Sequence, residues 1–189
     1  MPFARRIAVG LIAVLALLPL GATSVQAGPH GTDQILDSLR RPAGSAAELQ
    51  QQIARQLRLA PGGTQTAPNE VSYDGGKFVV TYRMPGAVAA AAPDCPSGWF
   101  CFYANYEYGY PRGKLSSCGW QDLSKYRWND RTRSIHNATA TDIDFYGHQD
   151  YGNPAYGHVL DEFLFGAFIY ESVPYVLYPD QADHVIRRC

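Results

Sequence analysis

The ten residues from Phe102 to Pro111, FYANYEYGYP, return 43 positions later from Phe145 to Pro154 as FYGHQDYGNP. Both copies run Phe-Tyr, four variable residues, Tyr-Gly, one variable residue, Pro. Self-similarity at a fixed period marks two copies of one supersecondary unit, and it governs how everything after Cys95 can fold. Aromatic residues suit a pleated, half-buried strand, so Cys101-Phe102-Tyr103 and Ile143-Asp144-Phe145-Tyr146 read as strands. Gly109 and Gly152 offer the backbone freedom of a residue without Cβ, positive φ included. Pro111 and Pro154 then limit continuation of the ladder. Each copy reads as a hairpin bent back on itself. Copies of about forty residues suit a four-strand Greek key, and two keys packed face to face make a small sandwich. With 13 Tyr, 8 Phe, 18 Gly and 13 Pro in 189 residues, composition also favours strands and turns over a helical bundle.

The N-terminus predicts export. Arg5 and Arg6 precede the apolar run Ile7 to Leu20, and Val25-Gln26-Ala27 supplies a small-x-small cleavage pattern before Gly28. Residues 1–27 therefore read as a secretory signal peptide; the run is too short for a membrane span. No later stretch is apolar enough to span a bilayer, and the mature protein is expected to be extracellular and monomeric. Removing residues 1–27 takes two arginines and no acid, so the formal charge moves from −1 to −3. Such a chain gives no electrostatic case for a nucleic-acid partner.

All four cysteines, Cys95, Cys101, Cys118 and Cys189, lie in the repeat region. In an oxidising compartment they predict two disulfides. Of the three connectivities, Cys95–Cys101 with Cys118–Cys189 is favoured, because Pro96 and Gly98 can turn the chain inside the first loop. On the chain-entropy model the short loop stabilises by roughly 2.4 kcal/mol and the long one by roughly 4.4. A structural zinc site is the rival reading, but the spacing lacks paired C-x-x-C units.

Between signal and repeat the pattern changes. Residues 28–44 read as a disordered leader. In the next stretch, 45–84, Ser45-Ala46-Ala47-Glu48 is a capping box. Leu49, Ile53 and Leu57 then mark one helix face, and Pro61-Gly62-Gly63 ends the helix. Glu70 to Tyr73 and Lys77 to Tyr82 flank Asp74-Gly75-Gly76 as a hairpin. Residues 85–94, with AVAAAAP, read as a linker. One helix and one hairpin bury little core, so this piece is expected to dock on the 95–189 domain or to be removed.

The segments CPSGWFCFY and YEYGYPRGKLSSCGWQDL, followed by Tyr126-x-Trp128-x-Asp130-x-Thr132-x-Ser134, resemble the secreted bacterial peptidase inhibitors typified by the Streptomyces metalloproteinase inhibitor. The helix-Pro-Gly-Gly stretch and NEVSYDGGKFVVTY look like the leader of exported members. The likeness is strongest over 95–139 and weaker over 140–189. It implies a βγ-crystallin-like two-Greek-key sandwich behind a small helix-plus-hairpin segment. It also implies inhibition of a secreted metalloprotease, thermolysin-like, by a rigid disulfide-stabilised loop in the cleft. Cys95–Cys101 encloses one candidate loop, Pro96, Ser97, Gly98, Trp99 and Phe100, although Trp99 and Phe100 at a strand start are also natural core residues. The type inhibitor presents its loop in a later short disulfide ring, and no cysteine pair here closes one. An exported module of this fold with an antimicrobial, envelope or calcium-related role is the alternative, and a structural or stress-related secreted protein the third.

Calcium is the one cofactor to weigh. Many βγ-crystallin domains bind it through (Asn/Asp)-(Asn/Asp)-x-x-(Ser/Thr)-Ser. Asn129-Asp130-Arg131-Thr132-Arg133-Ser134 matches except at Arg133, which replaces an oxygen ligand by a positive charge. Asn129, Asp130 and Ser134 are the candidate ligands, with Ser134 equally suited to a local turn. No enzymatic constellation emerges: there is no H-E-x-x-H or G-x-S-x-G, and the cysteines are explained by pairing. His148, Asp150 and His158 could converge on a metal, but repeat alignment puts the first two at solvated loop positions. Asn137-Ala138-Thr139 is a formal glycosylation sequon, expected to stay bare.

Overall fold

The computed structural model describes residues 37–88, 92–149 and 160–189. The expected signal peptide, most of the expected leader, and the second Tyr-Gly-x-Pro segment with Asp150, Gly152, Pro154 and His158 lie outside the described residues.

Helix α1 (Ala46–Leu59) starts where the sequence places it. Ser45 Oγ accepts the Glu48 N–H at 3.2 Å, and Glu48 Oε2 reaches back to the Gly44 N–H at 2.7 Å. The helix buries Leu49, Ile53 and Gln56 and ends at Ala60. Gly63 is required on steric grounds, because a Cβ there would lie 2.6 Å from the Tyr73 ring. Strands β1 (Thr64–Ala67), β2 (Glu70–Tyr73) and β3 (Phe78–Thr81) follow as an antiparallel meander.

The two keys come next. The first comprises β4 (Phe100–Tyr103), β5 (Arg112–Leu115), β6 (Gly119–Asp122) and β7 (Ser134–Asn137). The second comprises β8 (Ile143–Gln149), β9 (Leu160–Ala167), β10 (Ser172–Val173) and β11 (His184–Arg187). Neither key closes on itself. One sheet runs β1-β2-β3-β5-β4-β7-β10 and the other β6-β11-β8-β9. Each key thus contributes its first, second and fourth strands to one sheet and lends its third strand to the other. The sandwich is the expected two-Greek-key architecture, with the keys locked by exchanged strands.

The Phe-Tyr repeat explains itself in this frame. Phe102 and Phe145 occupy equivalent places on β4 and β8, both point into the core, and their rings meet edge to face at 5.9 Å. The tyrosines point the other way, as strand alternation demands. Tyr103 is fully buried beneath Tyr108, with ring centroids 5.6 Å apart, whereas Tyr146 is only partly covered. In the first turn the positive φ values fall on Glu107 and Tyr108, not on Gly109. Gly109 is needed for a different reason than the sequence suggests: a Cβ there would sit 2.7 Å from the Asn105 Cβ.

The expected disulfides Cys95–Cys101 and Cys118–Cys189 are both present. The expectation of disorder up to residue 44 is corrected at its end. Residues 37–40 form a helical turn. Leu39 is fully buried, and Arg40 pairs with Asp180 at 2.5 Å. At the end of the linker, Asp94 accepts from Tyr103 Oη at 3.1 Å and from Tyr110 Oη, and pairs with Arg112 at 2.9 Å. Burial works against ionising Asp94, but the Tyr110 hydrogen bond and Arg112 outweigh it and hold its pKa below the ordinary value.

Candidate functional site

Pro96 to Phe100 do not present two apolar side chains to a partner. Phe100 is the first residue of β4 and is 1% exposed, facing the core. Trp99 is half-buried, with the Lys114 ammonium 4.9 Å from its ring centroid. Only Pro96, Ser97 and Gly98 are exposed. Phe100 thus takes the core place also read for it in the sequence, because strand alternation turns it inward, and the candidate loop offers no pair of aromatic anchors.

What this loop does is support its neighbour. Gly98 N–H donates to the Ala138 carbonyl at 2.8 Å, and Ala138 N–H donates to Trp99 O at 3.0 Å. One residue on, the Thr139 carbonyl accepts the Tyr170 N–H at 3.2 Å. Tyr170 belongs to the β9–β10 turn, where Phe168, Ile169 and Tyr170 are 73%, 54% and 67% exposed. Three consecutive large apolar side chains in water are unusual for a turn, where polar and small residues prevail.

The turn is held firmly. Phe168 N–H donates to Glu171 Oε2 at 2.7 Å, and Glu171 N–H returns to Phe168 O at 3.1 Å. From beneath, Asn137 Nδ2 donates to Phe168 O and Thr141 O, both at 2.8 Å, and to Ala167 O at 3.3 Å. Its Oδ1 accepts the Thr139 N–H at 3.0 Å and the Thr139 hydroxyl at 2.7 Å. Asn137 is 1% exposed, so the sequon is a framework element with its amide already committed. The sequence signal for the turn was the run Phe168-Ile169-Tyr170 itself, which without a register is indistinguishable from a buried strand.

Two of the three calcium candidate residues, Asp130 and Ser134, have protein partners. The Asp130 carbonyl accepts from Arg40 Nη2 at 3.0 Å. Ser134 Oγ donates to Asn105 O at 2.7 Å and accepts the Tyr108 N–H at 3.0 Å, the turn role foreseen for it. Arg131 is fully buried in the middle of the motif, and Arg133 holds Asp180 at 2.7 Å. Of the candidate oxygens a hard cation would need, the Asp130 carbonyl is taken by a guanidinium and the Ser134 hydroxyl by the turn. The Asp130 carboxyl is pushed up to about 6, by burial first and then by Asp183 and Asp180. Asp150 and His158 lie outside the described residues; His148 meets Asp161 and His184 across the second sheet.

Residues 88–157 match the model of peptidase inhibitor family I36. Over this stretch the chain is similar to that family. The match covers well under half of the chain, and no curated protein matches it. Among solved structures, one described as "Evolution of the eye lens beta-gamma-crystallin domain fold" is similar at 11% identity, covering 53% of this chain and 95% of the other, with a TM-score of 0.39. A βγ-crystallin from Ciona intestinalis matches at 17% identity over 48% of this chain and all of its own, with a TM-score of 0.35. Spherulin 3A from Physarum polycephalum matches at 12% over 53% and 89%, also at 0.35.

Proposed function

We propose that this chain is an I36-type peptidase inhibitor, exported and non-enzymatic, acting on metallopeptidases of the thermolysin-like class, and that Phe168-Ile169-Tyr170 is the segment entering the protease cleft. The carrying observation is the combination of exposure and fixation in that turn. A protein ligand loses affinity when its contact residues must be ordered on binding. Here the backbone is already tied by Asn137, Glu171 and Thr139, so large apolar area is offered at little ordering cost. An apolar subsite suits such side chains. Export is supported by Arg5, Arg6, the Ile7 to Leu20 run and Val25-Gln26-Ala27. Among the described residues no helix is long and apolar enough to cross a membrane.

The test is to titrate the mature chain against thermolysin-like, subtilisin-like and trypsin-like proteases. Stoichiometric inhibition of only the first is expected. Phe168→Ala and Tyr170→Ala should each weaken inhibition at least tenfold, the behaviour of interface anchors, with unfolding midpoints unchanged. Full activity of all three proteases sinks the reading, and undiminished inhibition by the double variant sinks the loop assignment.

A further inference from the structure

The outer face of the second sheet carries a constellation unrelated to the apolar turn. β8, β9 and β11 are neighbours in the order β11-β8-β9. His148 on β8 lies directly opposite Asp161 on β9. His184 on β11 lies opposite Tyr146, two residues before His148, and so sits diagonal to it on the same face. Because Phe145 and Val185 point into the core, alternation turns His148 and His184 outward. His148 Nδ1 is 2.9 Å from Asp161 Oδ1, and His184 Nδ1 is 3.2 Å from the same oxygen. One ligand atom from each of the three residues falls within 4.8 Å of the others.

We infer that His148, Asp161 and His184 bind a divalent transition-metal ion of the zinc class. Two imidazole nitrogens and one carboxylate oxygen are a zinc-type donor set with a fourth position open to solvent, and the nitrogens make it a poor calcium site. With metal–ligand bonds of about 2.0–2.1 Å, the edge of a tetrahedron is about 3.3 Å. Two of the three separations already lie near that length, and rotation of exposed side chains closes the third.

Three details go beyond an ordinary ion pair. His184 Nδ1 is buried and, although 3.2 Å from Asp161, has no aligned hydrogen bond. Two imidazoles therefore crowd one carboxylate oxygen that only His148 bonds well, and a cation between the three would satisfy all of them. Asp122 on β6, directly opposite His184, places Oδ1 4.0 Å from the other ring nitrogen, Nε2. At that length it is not a hydrogen bond, and Oδ1 already accepts the Ser124 N–H at 2.9 Å, but Asp122 lies on the side from which a carboxylate could orient a metal-bound His184. The half-exposed Trp120 ring lies 4.8 Å from the His184 ring and provides a reporter.

The test uses untagged full chain, stripped with chelator and dialysed. Zinc titrated by calorimetry should bind at one ion per chain, and cobalt should give the visible bands of a four- or five-coordinate site while quenching Trp120. The double variant His148→Ala/His184→Ala and Asp161→Asn should each abolish saturable binding, with circular dichroism unchanged because the side chains lie outside the core. Asp122→Asn should weaken binding by roughly 10–100-fold. Histidine ring 15N spectra of the unmutated chain supply a readout independent of variant folding, with only His148 and His184 shifting on zinc addition. Absence of uptake at micromolar zinc, unaltered binding by the double variant, or shifts confined to other histidines would overturn the assignment.

Discussion

Gln56 shows how one polar side chain can organise a core. It is fully buried and makes four hydrogen bonds. Nε2 donates to Tyr73 Oη at 3.1 Å and to the Tyr126 carbonyl at 2.7 Å; Oε1 accepts from Tyr82 Oη and Arg131 Nη1, both at 3.3 Å. Arg131 is itself buried, lies 4.4 Å over the Trp128 ring, and has its pKa brought down to about 10 by burial, with Tyr82 acting in the opposite direction. Gln56→Leu fills the volume but leaves these groups unpaired, so it should cost about 3 kcal/mol, read as a lower denaturation midpoint at unchanged m. Asp130 behaves oppositely. Its folded pKa of about 6 lies above the unfolded value near 4, so the folded state binds more protons between the two. Stability therefore falls as pH rises through that window, and the deficit is complete above the folded pKa. Asp130→Asn, well suited to the left-handed φ of 57°, should be more stable than the parent at pH 7. Thermal melts from pH 4 to 7 should show that gap closing as pH falls. Neither residue could be assigned from sequence, because Gln56 reads as a solvent-facing helix position until Arg131 and Tyr126 are brought over it.

At the scale of the element, sequence legibility followed locality. The capping box, the helix stop, the Asp74-Gly75-Gly76 hairpin and the first strands of both keys depend on neighbours a few residues apart, and all could be read in advance. The exchange of β6 and β10 between sheets could not, since it depends on pairings such as Val173 with Ile135 and Ile186 with Trp120. The candidate sites inherit this limit: Phe168-Ile169-Tyr170 becomes a surface, and His148, Asp161 and His184 become a group, only once registers are set. The β9–β10 turn also makes a sharp prediction. Asn137 is the bracket between β7 and that turn, so Asn137→Ala should lower stability by about 2 kcal/mol and weaken protease inhibition through a faster off-rate. Stopped-flow dissociation beside equilibrium unfolding separates the two effects. An unchanged off-rate would mean that fixation of the turn adds nothing to binding.

Taken whole, the molecule does not divide where the family match begins. Residues before 88 supply Leu49, Ile53, Val71, Tyr73, Phe78 and Val80 to the same core cluster as Phe102, Trp128, Phe145 and Val185. β3 pairs with β5 along four residues, so the helix-plus-hairpin segment extends the first sheet as a continuous ladder. Phe78 stacks on Tyr126 at 3.9 Å and closes over Phe102 and Trp128 at 6.0 and 6.3 Å. A chain starting at residue 88 would avoid the entropy of ordering that segment, and by that measure alone truncation need not destabilise. What decides the outcome is the surface left behind. Phe102, Leu115 and Trp128, all fully buried in the intact chain, would lose their cover, and β5 would become an open edge, the standard route to aggregation. Residues 88–189 should therefore melt with little cooperativity, bind a hydrophobic dye and self-associate on gel filtration, while residues 28–189 melt cooperatively as a monomer. A sharp transition within a few degrees of the longer chain would show instead that the two keys suffice, and that the segment before them is a detachable leader.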